Sequence, residues 1–279
     1  MKNSILLLLL TVLFGCDTPS NAQKVDSTTY AINANGKTLS TRFNPPKGYQ
    51  RTKSSLFSFG TYLRNLPLKK SGSLVKYFDG GTKPNTNVYA AVVELPIGKR
   101  DLHQCADAVM RLRAEYLWKQ KKYDEIHFNF TNGFVADYNS WRSGKRIVVK
   151  GNEVKWVQSA TASNDYQVFW KYLEMVFAYA GSLSLSKELK KVDVKEMQIG
   201  DAFVRGGSPG HCAIVVDMAI DSSSGKKVFM LAQSYMPAQE TQVLWNTNNG
   251  KKTVWYPLDF GGLLVTPEYS FYPKELMRF

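Results

Sequence analysis

The chain has 279 residues, carries 36 Lys and Arg against 23 Asp and Glu for a formal charge of +13, and contains three cysteines. That length supports a hydrophobic core without disulfide reinforcement, and a hydrophobic content of 44% excludes a chain that stays unfolded. The basic excess points to an anionic neighbourhood such as phospholipid head groups or cell-wall polymer.

The first element is a leader. Lys2 precedes an apolar run from Ile5 to Phe14, and the run ends in Leu13-Phe14-Gly15-Cys16. It falls well short of the ~20 apolar residues that span a bilayer and fits the bacterial lipoprotein signal pattern, in which the cysteine accepts lipid. Residues 1–15 are therefore expected to be removed and Cys16 to be acylated. The membrane is then a partner through the acyl chains, at about 0.8 kcal/mol for each CH₂ buried. Such a protein works in the cell envelope, on the periplasmic or outer-membrane face, and nucleic acid is not an expected partner. Residues 16–40 are polar and lack apolar periodicity, which predicts a tether. A single α+β domain is expected over 41–279.

Within that domain, Val88 to Leu95 predicts a buried strand, closed by Pro96 and Gly98. Asp101 and Gln104 have capping-box spacing, and Leu102, Cys105, Ala106, Val109, Leu112, Tyr116 and Leu117 follow as one helical stripe. Residues 127–160 predict two or three strands. Phe169, Tyr172, Leu173, Val176, Phe177 and Ala180 predict a second long helix, with Ser163, Asn164 or Asp165 as its cap and Gly181 as its stop. Ala202 to Arg205, Cys212 to Met218 and Val228 to Leu231 predict three strands joined by glycine- and serine-rich turns. Helices come first in this reading and an antiparallel sheet after.

A thiol nucleophile needs a lowered pKa, a base within reach, and donors for the oxyanion it creates. Cys105 near a helix start has the free N–H groups and the dipole that favour thiolate. Gln104 beside it is a candidate oxyanion donor. His211 opens a strand after a glycine-rich turn, which puts its ring at the sheet rim as a candidate base. Gln233 is the candidate to orient that ring, with Ser234 and Asp217 behind it.

Strand alternation sends His211 and Cys212 to opposite faces. A Cys105–His211 pair and a Cys105–Cys212 disulfide are therefore competing readings, and Cys105 on an apolar stripe also fits a small buried hydrophobe. His103 and His127 sit in no metal-ligand spacing, so no metal or other cofactor is expected. Ser208 lacks the spacing of a nucleophile elbow. Trp141, Trp156, Trp245, Trp255 and Tyr256 could stack on sugar rings or fill the core.

A cysteine at a helix start, Gly200-Asp201-Ala202-Phe203-Val204 turning into a strand, and the strand Gly210-His211-Cys212-Ala213-Ile214-Val215-Val216 together resemble the papain-like NlpC-type cell-wall peptidases and amidases. The resemblance implies helices packed on a mainly antiparallel sheet, with Cys105, His211 and Gln233 as the site. The segments 100–108, 111–117, 206–211 and 232–239 are similar to a family of bacterial lipoproteins of unassigned activity, the domain of unknown function family 4846. The expected function is a lipid-anchored envelope thiol peptidase or amidase acting on cell-wall peptide or amide bonds, with peptidoglycan or another anionic envelope polymer as partner. The alternative is a non-catalytic envelope lipoprotein that binds glycan, peptide or a protein.

Overall fold

A computed structural model describes residues 31–248 and 252–279. Cys16, the leader and residues 16–30 of the expected tether lie outside the described residues. The packed chain begins before the expected boundary at Ser40: Ile32 bridges Phe43, the Leu68 N–H donates to the Lys37 carbonyl, and Leu39 is fully buried.

The elements in chain order are α1 (Leu39–Arg42), β1 (Tyr49–Arg51), α2 (Phe59–Arg64), β2 (Tyr89–Val92), α3 (Cys105–Lys119), β3 (His127–Asn129), β4 (Val135–Asp137), α4 (Tyr138–Arg142), β5 (Lys145–Lys150), β6 (Glu153–Gln158), α5 (Tyr166–Tyr179), α6 (Ser182–Glu188), β7 (Lys190–Lys191), β8 (Ala202–Arg205), β9 (His211–Asp221), β10 (Lys227–Gln233), β11 (Gln242–Leu244), β12 (Tyr256–Pro257), β13 (Leu264–Val265), β14 (Ser270–Phe271) and β15 (Leu276–Arg278). The main sheet is antiparallel in the order β2-β11-β10-β9-β8-β15-β7, with β1 added beside β9 and β12 beside β10. It draws strands from both halves of the chain, so the expected succession of helices and then sheet is too simple. Residues 127–158 form four strands in two separate hairpins around the short α4, rather than two or three.

Strand β9 is the spine of the fold. Its residues from His211 to Ala219 are all buried, because both faces of the sheet are covered. Cys212, Ile214 and Val216 belong to a core shared with α3 and α5, whereas Ala213 and Val215 belong to one shared with Phe203, Phe229 and Phe271. The period of two seen in the core follows from the pleat. On the first face, α5 buries Phe169, Tyr172, Leu173, Val176 and Phe177, the helical stripe expected from its spacing. Each such side chain contributes about 1.5–3 kcal/mol by leaving water. Strand β2 is shorter than Val88 to Leu95, since Leu68, Lys69 and Glu94 divert its outer edge into loop hydrogen bonds.

Candidate active site

Helix α3 starts at Cys105, four residues after the expected Asp101 cap. The Gln104 N–H donates to Asp107 Oδ2 at 3.0 Å, so the capping contact runs from Gln104 to Asp107. Asp101 is used instead as a stitch: its Oδ1 accepts the Ala238 N–H at 2.7 Å and the Gln104 side-chain amide at 3.1 Å. The stitching continues along the segment. Ser234 Oγ donates among the His103 and Gln239 carbonyls at 2.9 and 2.7 Å, and His103 Nδ1 donates to the Gln239 carbonyl at 3.1 Å. Residues 101–104 are thereby fastened to 234–239, which brings the first turn of α3 over the ends of β9 and β10.

At that rim the Cys105 sulfur meets two neighbours in β9. The Cys212 thiol and the His211 ring both lie close enough to stabilise charge on it, and the Ala106 N–H acts in the same direction. The Cys212 hydrogen bond is the largest cause that pulls the Cys105 thiol well below its ordinary pKa. Burial opposes it, and His211 and the Ala106 N–H assist. Burial pushes the Cys212 thiol up, and its hydrogen bond to Cys105 adds to this. Of the two sulfurs, Cys105 is therefore the one biased toward thiolate and Cys212 the one biased toward thiol.

Two expectations are corrected here. Cys105 and Cys212 are both free thiols, and contact with His211 does not exclude contact with Cys212. Cys212 faces the α3 side of the sheet as alternation demands, whereas His211, the first residue of its strand, reaches the same sulfur at the rim. The rim position expected for the His211 ring does not open it to solvent either. His211 is 2% exposed, with its ring centroid 4.8 Å from Tyr235, 4.9 Å from Tyr269 and 5.8 Å from Phe271.

The far side of the imidazole is fixed by a chain of hydrogen bonds. His211 Nε2–H donates to Gln233 Oε1 at 2.7 Å, Gln233 Nε2 donates to Glu268 Oε2 at 2.7 Å, and Glu268 pairs with Lys83 at 2.6 Å. A carboxylate can only accept, so Glu268 claims the amide N–H₂ of Gln233 and turns its oxygen toward the ring. That oxygen in turn requires the proton on Nε2, and Nδ1 is left with a lone pair for the thiol. Lys83 is 4% exposed and also donates to Gln239 at 3.1 Å, which ties this chain back to the segment that holds α3.

The weaker candidates have other duties. Ser234 bonds two carbonyls, as above. Asp217 is held by Arg51 at 2.7 Å and Arg64 at 2.6 Å in a buried ion cluster. His103 is a core residue whose pKa burial lowers to about 3, with Arg111 contributing. His127 is exposed beside Glu188. The Gln104 side chain, the candidate oxyanion donor, spends one amide N–H on Asp101, and its backbone N–H is taken by Asp107. The Asp107 N–H is turned to the Gln104 side chain in the capping box, so the remaining donor at this helix start is the backbone N–H of Cys105, which lacks a partner four residues back.

Sequence reasoning missed Asp107, Glu268, Lys83 and the part played by Cys212. Asp107 is buried, its Oδ1 has no partner, and burial together with the Cys105 charge raises its pKa well above the usual carboxyl value. A cavity of about 380 Å³ opens at Cys105, bounded by Leu102, Phe177, Gly181, Gly207, Pro209 and Met236. No Lys, Arg or His lines it, despite the strongly basic composition. Among the described residues no group of His, Cys, Asp and Glu has the arrangement of a metal site.

Helices on a mainly antiparallel sheet, with a cysteine, an imidazole and an amide meeting at a strand rim, define an α+β protein with a thiol-centred cleft. A family model described as Domain of unknown function (4846) matches residues 39–278, and the chain belongs to that family. No curated protein and no solved structure matches it.

Proposed function

We propose that this protein is a thiol hydrolase of the cell envelope, papain-like in arrangement and held on a membrane by lipid at Cys16, that cleaves peptide or amide bonds of the wall. The observation that carries the reading is the contact of the Cys105 sulfur with a histidine whose other nitrogen is held by Gln233 at 2.7 Å. A buried structural cysteine has no use for an oriented imidazole.

In this mechanism His211 Nδ1 holds the thiol proton and the Cys105 thiolate adds to the carbonyl carbon, forming a C–S bond. The carbonyl oxygen becomes an oxyanion beside the N–H groups at the start of α3. His211 returns the proton to the departing amine as the C–N bond breaks. Water then adds to the thioester with His211 as base, and the thiolate is regenerated. Gln233 holds the Nε2–H tautomer throughout, and the Cys212 S–H steadies the thiolate between turnovers. A cleft without cationic side chains suits neutral or amine-bearing segments rather than a carboxylate cluster.

The test is incubation of the purified protein with peptidoglycan fragments beside Cys105→Ala and His211→Ala variants, with products read by mass spectrometry. New amines from the parent alone are the expected result. Equal product from all three, or none from the parent while Cys105 alkylates readily, removes the hydrolase reading and leaves a binding lipoprotein.

A further inference from the structure

The turn that precedes α2 holds Leu56 and Phe57, 76% and 70% exposed, the two most exposed large apolar side chains among the described residues. Such a pair side by side invites a mobile loop, yet this one is fastened. The Tyr116 hydroxyl donates to the Phe57 carbonyl at 3.0 Å, and the Thr61 hydroxyl donates to the Ser55 carbonyl at 2.9 Å. The Ser58 N–H closes the turn on the Ser55 carbonyl at 3.1 Å. Phe57 is held at φ 65°, a left-handed conformation that a phenylalanine rarely adopts. Strain and fixed hydrogen bonds are thus spent on presenting two apolar groups outward, which has no benefit in water.

Cations lie on the elements that carry this tip. Lys53 lies three residues before Leu56 and is exposed, and Lys119, also exposed, places its Nζ 5.1 Å from the Tyr62 ring. Arg113 lies 5.4 Å from the Phe59 ring, with Glu125 3.9 Å away as its acidic neighbour. The Tyr62 and Tyr116 rings, 5.9 Å apart, join these groups to the turn. An apolar tip with an aromatic, on elements that also carry long basic side chains, is the pattern of a group that enters the boundary between lipid head groups and acyl chains. Two side chains are too few for the core of a stable protein interface, which needs about 800 Å² on each partner, whereas a bilayer demands no matching shape.

We propose that the 54–58 turn is a membrane-contacting wedge: Leu56 and Phe57 enter an anionic phospholipid bilayer while Lys53, Arg113 and Lys119 meet its phosphates. This contact is independent of the hydrolase reading. It would fix how the domain stands on the surface, which a flexible lipid tether alone leaves free.

The experiment uses the full chain carrying Phe57→Trp, mixed with vesicles of brominated phosphatidylglycerol or brominated phosphatidylcholine. The parent is measured in parallel so that the native tryptophans are subtracted. Bromine in the acyl chains is expected to quench the added indole at least twofold in phosphatidylglycerol and to quench it less in phosphatidylcholine. Lys53→Gln and Lys119→Gln are each expected to lower affinity for phosphatidylglycerol about fivefold. Circular dichroism of these variants confirms that the fold persists. An unquenched indole on vesicles that bind the protein overturns the proposal and leaves the tip to a protein partner. Equal quenching in both lipids also overturns it, because the basic side chains would then contribute nothing.

Discussion

Replacing Cys212 with alanine isolates the feature that most distinguishes this site from a plain cysteine–histidine pair. The Cys212 S–H is the largest stabiliser of the Cys105 thiolate, and it lies in a core position with no exposed surface. A hydrogen bond to a charged acceptor is worth about 1.5–3 kcal/mol. Discounted for the weakness of a thiol donor, the lower end applies, and at 1.36 kcal/mol for each unit the Cys105 pKa should rise by about one unit. The assay is the rate of alkylation by iodoacetamide as a function of pH. Cys212 stays silent in the parent because it is buried and its thiol is held protonated. Cys212→Ser keeps a hydroxyl donor and is expected to give a smaller rise. The alanine cavity costs a little stability, which a parallel denaturant melt measures and which cannot itself move a titration midpoint. An alkylation midpoint that stays at the parent value in Cys212→Ala refutes the reasoning, since the nearest donor to the thiolate would then be doing nothing for it.

Glu268→Ala removes the acceptor that orients the Gln233 amide; with the amide free to turn, the Nε2–H tautomer of His211 is no longer enforced. Turnover and Cys105 alkylation at pH 6 should fall about 10-fold, less than the roughly 10²–10⁴-fold of losing the proton-transfer group itself because the imidazole remains, with partial recovery in Glu268→Gln, which retains an accepting oxygen. An unchanged pH profile would exclude a positioning role. Asp107→Asn keeps the oxygen that accepts the Gln104 N–H but cannot ionise. Because burial raises the Asp107 pKa in the fold, its contribution to stability is complete below the unfolded value near 3.9 and is lost as pH rises through the folded one. Urea melts should therefore show the asparagine variant gaining on the parent above about pH 4, by up to ~1.4 kcal/mol for each unit; a gap independent of pH would contradict this. Asp217→Asn discharges a carboxylate that Arg51 and Arg64 enclose, and should lower stability by about 3–5 kcal/mol. The Cys105 alkylation rate measured in the folded variant should not change, and a fall would restore Asp217 to the site.

The site depends on two attachments of different strength. The stitch between residues 101–104 and 234–239 sets where Cys105 stands, through backbone carbonyls and one carboxylate. The Gln233–Glu268–Lys83 chain sets what the imidazole can do, through side chains alone. Mutations in the first group should displace Cys105 and cost stability together. Mutations in the second should alter proton transfer with the fold intact.

The sequence by itself determined the elements whose periodicity is strong and local. The apolar face of α5 stands where the 3.6-residue period puts it, because that period reports burial against one surface, and β8 occupies Ala202–Arg205 as expected; α3, read as one stripe from Leu102, instead starts at Cys105 and is buried on nearly every side, Asp107, Arg111 and Glu115 included. The sequence also picked out Cys105, His211 and Gln233, which the fold gathers at one rim. The tertiary structure alone decided how they meet. A bulge between Met230 and Leu231 shifts the register of β10 against β9, and nothing in the local pattern signals it. Glu268 comes from a segment 35 residues beyond Gln233 without any motif of its own. Cys212 faces Cys105 by alternation, and His211 reaches the same sulfur because it sits at the strand end, where a ring can pass over the rim. Alternation governs the faces of a strand and does not govern its end.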